Sequence, residues 1–572
     1  MPLKSFINYL RPHFLNMTVS ILIKFTGSIM DLFLPWILAY MIDHVVPGKS
    51  TSKILLWGGI MLVCSVVAVV TNITANRMAN RVAADTTKQI RYDLFRKSSY
   101  LSSRQLDEFT IPSLISRLTS DTYNVHNMVG KMQRLGIRAP ILLLGGIIMT
   151  LTLDPVLTLV LLAVIPFITG IVYIISKKGI PLYNGLQVSI DKLVRIMREN
   201  ISGVRIIKAL SKTDYEKVRF SAINNEVAAK EKQVGLLMAV SDPVMNLFLN
   251  VGITCVILAG AYRVNEGLAG PGTIIAFLSY FTIILNAMLS ITRIFVLYSK
   301  GIASYKRIDQ ILSTPKDLTL CSRNYEDNGC HIAFENVSFS YHKNQYGLKH
   351  VSFCLKKGET LGIIGATGSG KSSIIRLLMR FYDADEGTVR IDGLDIKCIP
   401  EEELYTKFGV VFQNDVLFAD TIAENIDFGR GISKDKIFRS SSLAQAHEFI
   451  DSLDDGWEHE LTIRGTNLSG GQKQRILISR ALAGDPEILI LDDSSSALDY
   501  KTDARLRSSI SQNYQNTTTV IIAQRVSSIK HANLILVLDD GEIIGSGTHN
   551  ELMDACPVYK EISQSQMGVS PV

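Results

Sequence analysis

Six apolar segments, at about residues 15–40, 54–75, 135–153, 156–175, 236–262 and 273–297, crowd the first half of this 572-residue chain. A helix needs about 20 mostly apolar residues to cross the hydrocarbon core of a bilayer. With no water there, every backbone N–H and C=O must be satisfied within the spanning element. One such segment is compatible with a buried helix of a soluble protein; six in succession predict a helical membrane bundle. The chain averages, 47% apolar and 20% charged, conceal this, because the chain after about residue 300 reads as a soluble α/β domain.

Basic residues orient the bundle. With the N-terminus inside, segments 1–14, 77–134 and 177–235 carry 24 Lys and Arg, whereas the outer connections carry only Lys49, Lys53 and Arg263. This asymmetry predicts a cytosolic N-terminus and places the soluble half in the cytosol as well. Met1–Phe14 lacks the apolar core and small-residue cleavage site of a signal peptide, so none is expected. Short outer connections leave no room for an extracellular binding domain. The inner connections approach 60 residues and show helical periodicity, as in Val82, Ile90, Leu94 and Phe95. They predict helices that continue well into the cytosol and touch the soluble domain, with Phe109–Asp121 and Ala209–Phe220 as the contact segments. The resulting division is a transmembrane domain at 1–300, a linker at 301–330 and a nucleotide-binding domain at 331–572.

A net charge of +6 is too small and too dispersed for a nucleic-acid partner; a basic cytosolic face against anionic lipid fits it. Seven cysteines show no CxxC-type pairing, so all are expected to be reduced packing residues.

The most specific local signal is Gly365-Ala-Thr-Gly-Ser-Gly-Lys-Ser-Ser373, which follows the apolar run Thr360–Ile364. This is the P-loop pattern GxxxxGK[ST] between a strand and a helix. Gly365, Gly368 and Gly370 let backbone N–H groups approach phosphate oxygens, with Thr367, Ser369 and Ser373 in the same turn and the helix N-terminus adding its field. Lys371 is expected to reach the β- and γ-phosphates, and Ser372 to ligate Mg²⁺. Downstream, Ile488–Asp492 reads as a buried strand ending in a carboxylate, Asp492, suited to Mg²⁺. Between them lies Leu468-Ser469-Gly470-Gly471-Gln472, a second glycine-rich turn opening a helix and hence a second anion site.

At these residues the chain resembles the ATP-binding cassette proteins, for which LSGGQ is the family signature. Behind six spans, the whole resembles a bacterial ABC exporter half-transporter of the multidrug type, including Glu199–Lys208 in the second inner segment. The resemblance implies a membrane α-helical bundle fused to an α/β P-loop cassette, with ATP and Mg²⁺ as cofactors. It implies that Tyr341 stacks on adenine, that Gln413 senses Mg²⁺, that Asp499 belongs to the loop crossing a dimer interface, and that Ser469–Gln472 serve a partner's ATP in trans.

Two positions depart from the family pattern. Asp493 stands where a glutamate polarises water, and Gln524 where a histidine precedes Arg525. A base acts within roughly 2.6–3.2 Å of its proton, and misplacement by about 1 Å can cost about a hundredfold. Thr462-Ile-Arg-Gly465 also lacks the glutamate usual there. These departures favour the degenerate-site half of a heterodimeric exporter, an ATPase slow at its own P-loop; a homodimer with weak ATPase is the alternative. A nucleotide-gated channel or regulatory subunit is a second class. Nucleic-acid ATPases that share LSGGQ are disfavoured by the spans, importers by the fused domains, and a peptide processor by the lack of an N-terminal peptidase. Ionisable and polar residues within spans, Lys24, Asp31, Asp242, Asn246 and Arg293 with Asn250 and Asn286, are the candidates to line a cavity for amphipathic cargo. The expected location is the bacterial inner membrane.

Overall fold

The computed structural model describes residues 2–322, 325–326, 329–342 and 345–567. It divides into two units, Met1–Tyr100 with Thr110–Thr314 and Leu101–Phe109 with Pro315–Val572.

Six long helices dominate the first unit: α1 (Phe14–Tyr40), α2 (Thr51–Ser99), α3 (Thr122–Leu153), α4 (Pro155–Ser202), α5 (Thr213–Asn265) and α6 (Pro271–Leu312). Among the described residues, five segments, one each in α1, α2, α3, α5 and α6, are long and apolar enough to cross a membrane. In α4 the apolar stretch Pro155–Ile171 is shorter. At 1.5 Å per residue the 49 residues of α2 extend roughly 74 Å, more than twice a hydrocarbon core. The excess is the polar-faced continuation that its sequence periodicity predicts.

The helix ends are fixed by acids that accept from their first amides. Asp154, 2% exposed, accepts hydrogen bonds from the Val156 and Leu157 amides at 2.8 and 3.1 Å, and Pro155 occupies the first turn. The same carboxylate pairs with Arg263 at 2.6 Å, which ties the α3–α4 turn to the end of α5. Asp43 likewise accepts from the Thr273 amide at 2.9 Å at the start of α6. Along α6, Phe277, Phe281 and Ile284 are buried with Leu157, Leu161 and Val256. A Cβ at Gly252 would lie 2.4 Å from the Phe281 ring, so α5 and α6 approach closely only because that position is glycine.

Two expectations are corrected here. Residues 301–312, expected as linker, continue α6. The contact segment expected at Phe109–Asp121 lies instead at Leu101–Phe109, which belongs to the second unit. Its polar groups decide this: Gln105 donates to the Pro315 carbonyl at 2.8 Å, Ser102 to Asp317 at 2.6 Å, and the Tyr382 hydroxyl to Asp107 at 2.6 Å. Ala209–Phe220 remains in the first unit.

The second unit contains two sheets. The strands β1 (Ile332–His342), β2 (Gln345–Leu355), β4 (Glu386–Ile391) and β5 (Leu394–Asp395) form an antiparallel sheet in the order 2-1-4-5. The other sheet, ordered 10-9-3-8-7-6, comprises β3 (Thr360–Gly365), β6 (Phe408–Val411), β7 (Ile488–Asp492), β8 (Thr518–Ile522), β9 (Leu534–Asp539) and β10 (Glu542–Gly547). All its pairings are parallel except β9–β10. β7 is buried along its whole length, which explains its continuous apolar run.

The cysteine expectation is also corrected. Cys321 is bridged to Cys398 and Cys330 to Cys354, leaving Cys64, Cys255 and Cys556 free. Partners 77 and 24 residues apart meet only in the folded chain, Cys330 and Cys354 beside the β1–β2 ladder, which no local spacing reveals.

Candidate functional site

Three neighbouring parallel strands, β3, β8 and β7, end side by side, and the site is built on their carboxyl ends, where open α/β sheets place ligands. β3 runs into the P-loop, and the helix that follows, α7 (Lys371–Leu378), begins at Gly370 with φ of 96°. A Cβ on Gly370 would sit 2.5 Å from the Gly347 carbonyl, so the turn admits only glycine. β7 delivers Asp492 and Asp493, and the chain after β8 delivers Gln524.

Of the residues singled out by sequence, Tyr341, Gly365, Thr367, Gly368, Gly370, Lys371, Ser372 and Ser373 line one cavity of about 810 Å³. Gln413, Asp492, Asp493 and Gln524 close its other side. Ser369 is set into the loop, 3% exposed, beneath that surface. Lys371 Nζ donates to the carbonyls of Gly365 and Ala366 at 3.0 and 2.6 Å, which folds it over the loop. Burial holds its pKa below the usual lysine range, opposed by Asp492 and Asp493.

The Ser372 hydroxyl donates to Asp492 at 3.1 Å, and Asp492 is 6% exposed. Burial raises the Asp492 pKa, which marks a carboxylate that gains from a cation. A hydroxyl and a buried carboxylate in contact are the hard oxygen donors Mg²⁺ takes.

Asp493 adopts a left-handed backbone, φ 51°, which turns its carboxylate toward Gln524. Gln524 Nε2 donates to Asp493 Oδ2 at 2.8 Å, and Gln413 hydrogen-bonds the same side chain. Burial raises the Asp493 pKa, while Gln413, Arg525, Lys371 and Gln524 pull it down. The two residues that depart from the family pattern thus contact each other.

Ser469, Gly470, Gly471, Gln472 and Asp499 are not among the lining residues. Ser469 and Gln472 form a reciprocal capping box at the start of α8 (Gly470–Leu482), and Asp499 caps α9 (Tyr500–Asn513). These groups serve helix ends in their own chain, and Ser469 and Gly470 are exposed.

Sequence reasoning missed two contributors. Arg376, one turn into α7, donates to the Tyr341 hydroxyl at 3.0 Å and lies 5.5 Å from the ring centre. Tyr341 also contacts Ser373 at 3.1 Å, so its ring is fixed from two sides. Gln566 accepts from the Val526 amide and donates to the Gln524 carbonyl, each at 2.8 Å, clamping the segment that carries Gln524. The spacing of Arg376, four residues after Ser372 and three after Ser373 on one helix, is a usable signal; Gln566 offers none.

In the first unit, Lys24 is 3% exposed and donates to Asn76 at 3.1 Å, while Asp31 pairs with Arg138 at 2.9 Å. Asn246, Asn250, Asn286 and Arg293 are exposed on α5 and α6. The side chain of Asp242 lies outside the described residues.

Residues 17–288 match the family model of the ABC transporter transmembrane region, and residues 348–496 that of the ABC transporter ATP-binding domain. The ABC transporter ATP-binding protein YfiB of Bacillus subtilis is 35% identical over 98% of both chains. Rv1273c of Mycobacterium tuberculosis, likewise named an ABC transporter ATP-binding protein, is 31% identical over 98% of this chain and 97% of its own. The fold matches a solved bacterial Atm1-family ABC exporter with ATP bound, with a TM-score of 0.82, 23% identity and coverage of 98% and 99%.

Proposed function

This chain belongs to the ABC transporter family as an exporter-type half-transporter, and we propose that it is the degenerate-site half of a heterodimer that expels amphipathic compounds. The family's ATP-binding domain implies an ATPase coupled to transport. The finer reading rests on one observation, the 2.8 Å hydrogen bond from Gln524 to Asp493. A carboxylate one methylene shorter than glutamate, held by amide donors from Gln524 and Gln413, is oriented toward its own chain and is a poor general base for water. Gln524 supplies a hydrogen bond but neither a positive charge nor a proton shuttle.

Binding of ATP is retained in this reading. Tyr341 would stack on the base, the P-loop amides and Lys371 would hold the phosphates, and Ser372, Gln413 and Asp492 would hold Mg²⁺, whose charge would offset that of the phosphates. Ser469–Gln472 and Asp499, which lie outside the cavity of their own chain, complete the partner's site across a dimer interface. ABC exporters function as dimers, so neither site is whole in a single chain. Slow turnover here holds the cassettes together while hydrolysis at the partner's site resets the cycle. The Leu101–Phe109 segment carries the nucleotide-dependent motion to the spans. Lys24, Asp31, Asn246 and Arg293 line the path, and the protein resides in the inner membrane with its cassette in the cytoplasm.

The test is ATP binding and ATPase activity of the purified chain alone and with a candidate partner half-transporter. Tight Mg-ATP binding with little turnover alone, and full turnover only with the partner, is the expected result. Full activity from the lone chain identifies an active homodimer instead.

A further inference from the structure

The first unit places more cations than anions inside its helix bundle. Lys24 and Asp31 on α1 face Asn72 and Asn76 on α2 and Arg138 on α3. Lys24 donates to Asn76 at 3.1 Å, Asn72 to Asp31 at 3.4 Å, and Arg138 Nη2 to Asp31 at 2.9 Å. Arg134, one turn before Arg138 on α3, is within electrostatic reach of Lys24, as are Arg138 and Asp31. The group therefore holds three cations against one carboxylate. Among the described residues, Asp31 is the only acid among the groups that interact with Lys24, and it is already paired with Arg138.

Close packing fixes the arrangement. A Cβ on Gly27, between Lys24 and Asp31, would lie 2.5 Å from the Thr71 hydroxyl, so α1 and α2 approach this closely only because that position is glycine. Arg138 Nε and Asn72 Oδ1 are buried without a hydrogen-bond partner, and the Arg138 side chain keeps 41% of its surface exposed. Arg134 lies just before the third span and Arg138 just inside it, so the surplus positive charge sits at the inner ends of the spans, where a bound anion relieves it.

We propose that the Lys24–Arg134–Arg138 cluster is a recognition site for the anionic head, carboxylate, sulfonate or phosphate, of an amphipathic cargo. The proposal rests on the export reading and adds the charge class of what is exported. An anionic lipid headgroup offers the same chemistry, and the experiment separates the two sources.

The intact transporter, reconstituted in phosphatidylcholine vesicles, is assayed for ATP-dependent uptake of 11-(dansylamino)undecanoate and of the cation rhodamine 6G. Uptake of the anion is expected, with a half-saturating concentration raised at least tenfold, as an order of magnitude, by Arg138→Gln and restored by Arg138→Lys. Asn76→Asp keeps the side-chain shape and supplies Lys24 with a carboxylate; it should weaken anion uptake by a similar factor without touching the fold. Rhodamine uptake with no anion uptake, or equal effects of the variants on both probes, overturns the proposal while export stands. ATP-dependent movement of neither probe overturns export as well. Adding phosphatidylglycerol should leave anion uptake unchanged; its suppression of uptake would assign the cluster to lipid.

Discussion

At the scale of single residues, the decisive pair is Asp493 and Gln524. Each alone is a modest change of side chain, but Gln524 donates to Asp493 at 2.8 Å, and in the proposed reading that bond takes from the carboxylate its freedom to orient water. Restoring the family residues together, Asp493→Glu with Gln524→His, should raise the turnover of the lone chain or its homodimer by about tenfold or more, because reach and proton transfer return together. Either single change should give much less, since the two groups act as one unit. Steady-state ATPase measurements on the three variants check this, and an unchanged double variant would place the slow step elsewhere. The motif residues themselves were legible because phosphate binding by a P-loop is local: nine consecutive residues supply the turn, the cation and the hydroxyl. The contact between Asp493 and Gln524 was not, since they are 31 positions apart and meet only because β7 and β8 are neighbours.

At the scale of elements, the short helix Ser103–Phe109 carries the most consequence. It belongs with the cassette although it sits between two spans in sequence. Tyr382, buried and beside Asp107, has its hydroxyl pKa raised, first by burial and then by that carboxylate, so it stays a donor to Asp107 across the physiological range. Tyr382→Phe removes this bond while keeping the ring, a loss of about 1 kcal/mol. ATP binding should be unaffected, because Tyr382 is outside the cavity lining, whereas transport per ATP hydrolysed should fall several-fold. Parallel measurement of both on vesicles decides; an unchanged ratio would deny this element a coupling role. Sequence periodicity could not find it. A seven-residue helix held by Gln105, Ser102 and Asp107 has no apolar stripe to read.

At the scale of the whole molecule, the basic asymmetry of the connections predicts a topology open to direct test. A cysteine at Thr51, in the first outer connection, should react with a membrane-impermeant maleimide in intact cells. One at Lys212, between α4 and α5, should react only after permeabilisation, with the parent chain as control. The opposite pattern would invert the orientation and with it the direction of transport. Mg-ATP should also raise the midpoint of thermal unfolding, since a ligand at about 100 times its dissociation constant stabilises by about 2.7 kcal/mol. Chelation with EDTA should reverse part of that shift through the Ser372–Asp492 pair.

The sequence by itself determined the apolar helices, the cassette behind them and the phosphate-binding turns, and predicts an orientation, because bilayer thickness, glycine geometry and charge asymmetry act on contiguous residues. Tertiary structure alone decided what joins across distance. Sheet order brought Asp493 to Gln524, and tertiary packing brought the cysteine pairs to each other and Gln566 to the Gln524 segment. Helix packing set Lys24 and Asp31 beside Arg138, turning two isolated polar residues of one span into a cluster with surplus positive charge. Such contacts depend on which elements become neighbours, and the residues on either side do not encode that.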